Sequence, residues 1–145
     1  MLFGGTAEHY PVVDEPTVTN EAIRLTKHMD ELILKLAESK DNIYIFLPIP
    51  ELNKNIFKLI NNARKSNVSL HDITSTDINW YYERNKYIIN HFNSAEFPSN
   101  VHFLNPADAF CNSEKCFAVR NGIPLYFDDN HPSVLGAIKL VKLIE

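Results

Sequence analysis

The sequence is poor in the residues and patterns that mark several classes of protein. Its 145 residues include only two cysteines, four glycines and one tryptophan, and we find no internal repeat, low-complexity tract or Gly/Ser-rich linker. The formal net charge is −4, so the chain lacks the basic excess of a general nucleic-acid-binding protein. An apolar content of 45% and a charged content of 22% exclude a disordered tail and fit one globular domain or a piece of one.

No run of apolar residues is long enough to cross a lipid bilayer. The longest, residues 43–47, has the length of a strand, whereas a spanning helix needs about 20 apolar residues. The N-terminus also lacks a basic patch followed by an apolar stretch, so it does not have the pattern of a signal peptide. If the protein acts outside the cytoplasm, we expect a segment absent from this sequence to carry it there.

The spacing of apolar residues predicts helices that alternate with strands. Helical periodicity, with Thr19 or Asn20 as the first N-cap, predicts helices over residues 19–39, 51–64 and 76–93 and a last helix that opens at Pro132-Ser133. Runs of apolar and β-branched residues predict strands over residues 42–47, 101–104, 116–119 and 124–127. Residues 1–16 look irregular, and residues 65–75 form a polar stretch between helices.

This alternation indicates an α/β layered domain with a mostly parallel sheet. Between the last two strands, Asn121-Gly122 predicts a tight hairpin turn. The inward face of the last helix is expected to comprise Val134, Leu135, Ile138 and either Val141 or Leu143. Active loops of parallel sheets lie at the carboxyl ends of strands, which directs attention to residues 48–50 and 128–131.

The segment from Asp128 to His131 is the strongest candidate for chemistry. A carboxylate three residues before a histidine on a short loop can accept a hydrogen bond from Nδ1, which fixes the tautomer and leaves Nε2 as a base. Gly136 and Ala137, in the first turn of the next helix, allow that helix to approach the sheet closely. Two alternatives stay open: a solvated, Asp-rich turn that caps the helix, and a metal site built from Asp128, Asp129 and His131, for which the sequence shows no partner cluster.

The two cysteines, Cys111 and Cys116, have four residues between them, unlike the C-x2-C spacing of zinc ribbons and thioredoxin-like pairs. No further Cys or Cys/His pair completes a four-ligand site, and we predict neither a metal site nor a cofactor here. The spacing fits a disulfide across a short loop, which would imply an oxidising compartment. The alternative is two reduced, partly buried thiols.

A longer pattern joins these features. The C-x4-C pair is followed by a hairpin ending in Leu-Tyr-Phe-Asp and then by D-x-x-H-x-S-x-x-G-A, and an earlier strand ends in the P-x-P-E turn of residues 48–51. From Thr17 to Lys142 the order and spacing resemble an SGNH hydrolase-like domain. The resemblance is to the periplasmic SGNH domain that is fused to membrane acyltransferase family three proteins, which O-acetylate bacterial surface polysaccharides.

The resemblance implies a three-layer α/β/α flavodoxin-like SGNH sandwich with a Ser-His-Asp site. His131 matches the family's general base, Asp128 matches its orienting carboxylate, and Cys111 and Cys116 match its disulfide. The serine would attack an acyl ester, and a sugar hydroxyl or water would then accept the acyl group. The implied setting is periplasmic or extracytoplasmic and membrane-tethered. The implied partners are surface polysaccharide or an acetylated sugar and a membrane acyltransferase domain, with no nucleic acid.

The sequence departs from this pattern at the nucleophile. The family's serine lies in a Gly-Asp-Ser block after the first strand, and neither this block nor a G-x-N-D block for an oxyanion hole occurs here. Ser133 lies nearest the motif but is expected to be a helix N-cap. We therefore expect residues 17–145 to be the C-terminal part of the domain, with the serine supplied by a missing N-terminal half. The alternative function is a non-catalytic remnant, or a module that binds glycan or a partner chain.

Weaker candidates are Glu51 and the aromatic run of Trp80, Tyr81 and Tyr82. Glu51 could face the cleft at the end of its strand, or it could simply favour a helix start through the helix dipole. The three aromatic residues could stack on a sugar, or they could pack as one face of an amphipathic helix.

Overall fold

The structure is a computed structural model that describes residues 18–145, so the expected irregular segment over residues 1–16 lies outside the described residues. The described helices are α1 (Asn20–Ala37), α2 (Ile56–Lys65), α3 (Ile78–Ser94), α4 (Ala107–Phe110) and α5 (Val134–Val141). The described strands are β1 (Ile43–Phe46), β2 (Ile73–Asp77), β3 (Val101–Leu104), β4 (Lys115–Arg120) and β5 (Ile123–Pro124). This mixture of helices and strands confirms the expected α/β class.

Side-chain caps mark the starts of α1 and α2. The side chain of Thr19 caps α1 as predicted, accepting a hydrogen bond from the Ala22 N–H at 3.1 Å. Helix α2 begins only at Ile56, so the prediction of a helix from residue 51 is wrong at its start. Asn55 caps α2 through the Phe57 N–H. The backbone between Pro50 and Asn55 forms its hydrogen bonds outside a helix, with β2 and with the loop after β5.

Strand β2 lies where the sequence predicts only a polar stretch. Ile73 and Thr76 are buried, Thr74 and Asp77 are exposed, and the strand pairs antiparallel with β4 through an irregular register. The prediction of a polar stretch between helices over residues 65–75 therefore missed a strand that begins at Ile73. A run with a single apolar residue, Ile73, does not show the alternation that marks a strand.

The strands form two small sheets. β1 and β3 pair in parallel, with Ile43 opposite Val101 and Phe46 opposite Leu104. The other sheet is antiparallel, in the order β2-β4-β5. The expected parallel pairing is thus confined to β1 and β3, and the combination of helices with small sheets is that of a partial α/β/α fold. The carboxyl ends of β1 and β3 lie side by side, so the segments that follow them share one edge.

The predicted hairpin between β4 and β5 is present. Asn121 and Gly122 both have positive φ, at 54° and 74°, as a tight turn between twisted antiparallel strands requires. The Asn121 N–H donates to the Asp72 carboxylate at 2.7 Å, which ties the hairpin to the segment before β2.

Buried apolar side chains from the five described helices and the antiparallel sheet form one core, and partly buried side chains of β1 and β3 pack against it. Its largest fully buried members are Tyr81, Tyr126, Phe110, Leu52 and Leu125. Phe92 of α3 stacks on Phe103 of β3 with ring centroids 4.8 Å apart. No helix within residues 18–145 has both the length and the apolar character needed to cross a membrane.

Helix α5 packs through a different face from the predicted one. Gly136 and Leu140 are buried, and Leu143 just beyond the helix is partly buried. The expected inward residues Val134, Leu135, Ile138 and Val141 are instead 79%, 50%, 48% and 55% exposed. Contact through Gly136 sets the orientation, because a Cβ at that position would lie 2.1 Å from the Leu125 carbonyl oxygen.

Candidate active site

The Asp128–His131 loop connects β5 to α5 and is closed at its base. The Phe127 N–H donates to the His131 carbonyl at 2.8 Å. Tyr126 and Pro132 form an isolated antiparallel bridge across the same base. Ser133 then caps α5, accepting a hydrogen bond from the Gly136 N–H at 3.0 Å as the sequence predicts. The loop is therefore short and fixed at both ends, which limits the positions that its side chains can take.

Both oxygens of Asp128 are used within the loop. Oδ1 accepts hydrogen bonds from the backbone N–H groups of Asn130 (3.0 Å) and His131 (2.8 Å). Oδ2 lies 2.7 Å from Nδ1 of His131. Partial burial raises the pKa of Asp128, but the hydrogen bonds from the two backbone N–H groups and from the imidazole outweigh it and hold the pKa of this carboxyl below its usual value. Asp128 is thus a charged acceptor for the ring.

His131 is oriented by this contact and opens to solvent. Its side chain is 64% exposed, against 30% for that of Asp128. With Nδ1 held by the carboxylate, the proton of a neutral ring lies on Nδ1, and Nε2 carries the free lone pair. Within residues 18–145, no hydrogen bond to Nε2 is present. Such an imidazole can accept a proton from a group that approaches from outside.

The turn after β1 supports the loop from beneath. The Leu52 N–H donates to the Asp129 carbonyl at 2.7 Å, and the Ile56 N–H donates to the Asp128 carbonyl at 3.0 Å. The Tyr126 hydroxyl in turn donates to the Pro50 carbonyl. The P-x-P-E turn and the D-x-x-H loop, two motifs far apart in the sequence, are therefore in direct contact through the backbone.

Glu51, in the turn after β1, is buried and forms an ion pair with Arg84 of α3. Nε of Arg84 lies 3.2 Å from Oε2 of Glu51. This pair lacks the alignment of a hydrogen bond, whereas Nη2 donates to Oε1 at 3.5 Å. Burial raises the pKa of Glu51, and the charge of Asp129 adds to this rise, while Arg84 opposes it. Glu51 lies ahead of α2, so its interpretation as a helix-start carboxylate is wrong. In the sequence, only the place of Glu51 in the P-x-P-E turn indicated that it could belong to the candidate site.

The candidate metal cluster does not form. Asp128 contacts His131, but no group of three His, Cys, Asp or Glu side chains within residues 18–145 is arranged to hold a metal ion. Asp129 contributes its backbone carbonyl to the turn instead, and its charge acts on Glu51.

Two other histidines in the described residues lie beside an aspartate, but neither pair has the geometry of Asp128 and His131. His91 contacts Asp30 through Nε2 at 2.9 Å and joins α3 to α1. His71 lies 3.3 Å from its sequence neighbour Asp72 through Nδ1. The pair formed by His131 combines an Nδ1 contact at hydrogen-bond distance with a carboxylate whose other oxygen is held by two backbone N–H groups.

The serines of the sequence all lie within the described residues: Ser39, Ser66, Ser69, Ser75, Ser94, Ser99, Ser113 and Ser133. None of them forms a hydrogen bond with His131. Ser133 is nearest in sequence, but its hydroxyl donates to the Pro124 carbonyl at 2.8 Å while it caps α5. The prediction that Ser133 is a cap is therefore confirmed.

Cys111 and Cys116 form a disulfide, which decides between the two possibilities that the spacing left open. Both residues are buried, and they face each other as an antiparallel bridge between the end of α4 and the start of β4. Asn112 closes the small loop by accepting hydrogen bonds from the Glu114 and Lys115 N–H groups.

The aromatic run divides between core and surface. Tyr81 is fully buried, with its hydroxyl 2.9 Å from the Pro48 carbonyl, and Tyr82 is 37% exposed. Trp80 is partly buried with the guanidinium of Arg84 over its ring, 5.3 Å from the centroid. These residues therefore pack and position α3, and the three side chains form no shared stacking platform.

Comparison with known protein families identifies the family of this chain. Residues 3–145 match the family model described as SGNH domain (fused to AT3 domains). Neither the curated proteins nor the solved structures give a match. Because the family model covers almost the whole chain, this protein belongs to the family of SGNH domains that are fused to AT3 domains, and its context is acyl-related and hydrolase-like.

Proposed function

We propose that this chain supplies the histidine and aspartate of a Ser-His-Asp site that removes or transfers acetyl groups on bacterial cell-surface polysaccharide. The observation that carries the proposal is the 2.7 Å contact between Nδ1 of His131 and Oδ2 of Asp128, with Nε2 directed away from the carboxylate. The family match supports acyl chemistry and a membrane acyltransferase domain as partner. Acetylated sugar as substrate and an extracytoplasmic setting belong to the proposal.

The proposed reaction has two acyl transfers. In the first, Nε2 of His131 takes the proton of a serine hydroxyl as its oxygen attacks the ester carbonyl, and the imidazolium then protonates the departing alkoxide. In the second, Nε2 takes a proton from water or a sugar hydroxyl, which attacks the acyl-serine, and returns that proton to the serine oxygen. Asp128 stays ionised throughout and stabilises the imidazolium.

The serine in this proposal comes from polypeptide outside residues 18–145. The absence of contacts between the serines and His131 supports this part, as does the exposure of the imidazole, since a 64% exposed side chain leaves room for an incoming segment. Oxyanion donors would arrive with the same segment.

The test is hydrolysis of p-nitrophenyl acetate and of O-acetylated polysaccharide by the chain alone and by the longer polypeptide that includes any coding sequence preceding it in frame. We expect activity only in the longer polypeptide. There, His131→Ala and Asp128→Asn are each expected to lower kcat by at least about a hundredfold. His71→Ala is the matched control, because it removes another exposed histidine beside an aspartate.

Equal activity of the His131→Ala and His71→Ala variants would rule out His131 as the base. Absence of esterase activity in every form, together with millimolar binding of polysaccharide, would favour the glycan-binding module instead.

A further inference from the structure

A buried ion pair lies directly behind the candidate loop, and the proposed reaction does not use it. The side chains of Glu51 and Arg84 are 8% and 17% exposed. Burying a carboxylate costs solvation free energy, and a buried ion pair often stabilises a fold no more than apolar residues of similar volume do. Stability alone therefore does not account for the pair, and its position beside the backbone that holds Asp129 indicates a role in the candidate site.

One peptide unit links this pair to the loop. The carbonyl of Glu51 accepts a hydrogen bond from the Thr76 hydroxyl of β2 at 2.8 Å. The N–H of the same peptide, on Leu52, donates to the Asp129 carbonyl at 2.7 Å. The side chain of Glu51 is held by Arg84 of α3. Residue 51 is thus fixed from α3 and β2 while its peptide holds the loop.

We propose that Glu51 and Arg84 are positioning residues: their pair fixes the Glu51–Leu52 peptide, and this peptide holds the Asp128–His131 loop so that Nε2 of His131 points toward the reacting atoms. The inference deepens the proposed function and rests on it. Without Arg84, the buried carboxylate would have to protonate or turn toward water, and either change would move the Leu52 N–H that holds Asp129. Because proton transfer depends steeply on alignment, a small movement there lowers turnover.

The test combines a measurement that needs no activity with one that does. In the chain itself, amide hydrogen exchange of Leu52 and the NMR resonance of the His131 Nδ1 proton are recorded for wild type, Arg84→Met, Arg84→Lys and Glu51→Gln. In the longer polypeptide, kcat and KM for p-nitrophenyl acetate are measured for the same set. Lys86→Met is the matched control, since Lys86 lies on the same helix and pairs with Glu83 at the surface.

We expect Arg84→Met to speed exchange of the Leu52 amide by roughly tenfold or more and to shift or broaden the Nδ1 proton signal. We expect kcat to fall roughly tenfold with KM within about twofold of wild type, because orientation is lost and not substrate binding. Arg84→Lys retains the charge and should recover most of both properties. Combining Glu51→Gln with Arg84→Met should cost no more than the larger single change, since both break one interaction.

The outcomes separate this inference from the proposed function. If His131→Ala abolishes esterase activity while Arg84→Met changes neither the Nδ1 proton nor kcat, the pair is only structural and the inference is overturned. If no form of the protein has esterase activity, the proposed function fails. The NMR measurement then still decides whether Arg84 controls the loop. An equal loss in Lys86→Met would also overturn the inference.

Discussion

At the residue scale, the candidate site depends on a carboxylate that binds both a backbone and a ring. Asp128 holds the loop through Oδ1 and orients His131 through Oδ2. The D-x-x-H spacing was enough to predict this contact, because all its partners lie within four positions of one another and the loop is too short for many alternatives. The role of Asp128 in catalysis stays a prediction, as does that of His131.

Substitution of Asp128 by Asn tests the charge of this carboxyl apart from its shape. Its pKa is below the usual value when folded, so it contributes stability above the pKa of the unfolded chain and loses it as the pH falls through the folded value. We expect the variant to melt below wild type between about pH 5 and 7, and the two melting curves to converge as the pH falls below about 4. The melting temperatures of both proteins are measured by circular dichroism across this pH range. Asp41→Asn, at an exposed position, is the control, and a difference that stays constant with pH would contradict the prediction.

Glu51 marks the limit of prediction at this scale. Its neighbours in sequence do not include Arg84, which arrives on α3, or Asp129, which arrives after β5. A residue whose surroundings come from three separate segments has no local pattern that reveals its burial.

At the scale of single elements, the longer helices and the strands β1, β3 and β4 could be predicted because their apolar patterns are strong, whereas the strand predicted over residues 124–127 is wrong beyond Pro124, since β5 is Ile123–Pro124. The failures have physical causes. β2 is a short strand with one apolar residue. Helix α2 starts late because the backbone of residues 51–53 forms its hydrogen bonds with β2 and with the loop after β5. In α5, apolar residues lie on most sides, so the sequence could not show that Gly136 and Leu140 form the buried side.

The close approach of α5 to Leu125 gives a prediction that opposes helix propensity. By propensity alone, Gly136→Ala should stabilise the helix by about 1 kcal/mol. We expect destabilisation of at least about 1–3 kcal/mol instead, because the added Cβ would lie 2.1 Å from a backbone oxygen and α5 must move away. Urea unfolding followed by fluorescence measures the change. The neighbouring exposed Ala137→Gly should lose only about 1 kcal/mol, and a Gly136→Ala protein as stable as wild type would show that the helix is not held against the backbone of Leu125.

At the scale of the whole molecule, the turn after β1 joins the two sheets and the site. Three hydroxyl groups from other segments reach its carbonyls: Tyr81 contacts Pro48, Tyr126 donates to Pro50 and Thr76 donates to Glu51. The expectation of one mostly parallel sheet missed this arrangement, because side-chain hydrogen bonds between distant segments leave no periodic signal. The α/β class was predictable, whereas the division into a parallel pair and an antiparallel sheet was not.

These buried hydroxyls make stability sensitive to alkaline pH. Burial raises the pKa of both Tyr81 and Tyr126, so the unfolded chain releases their protons first, and their contribution to stability is present below about pH 10 and declines above it. Tyr126→Phe leaves the Pro50 carbonyl without its donor, which we expect to cost about 1–3 kcal/mol at neutral pH. The variant should also lose less stability than wild type between about pH 9 and 11, because it lacks one phenol whose ionisation in the unfolded chain favours unfolding.

Urea midpoints at neutral and alkaline pH measure both effects, and Tyr44→Phe is the control because Tyr44 is 41% exposed on β1. The control should change neither the midpoint at neutral pH nor its decline toward alkaline pH. If Tyr126→Phe behaved like this control, the hydroxyl contact with Pro50 would not hold the turn against the loop. The contact between turn and loop would then depend on the hydrogen bonds that the Leu52 and Ile56 N–H groups donate to the carbonyls of Asp129 and Asp128.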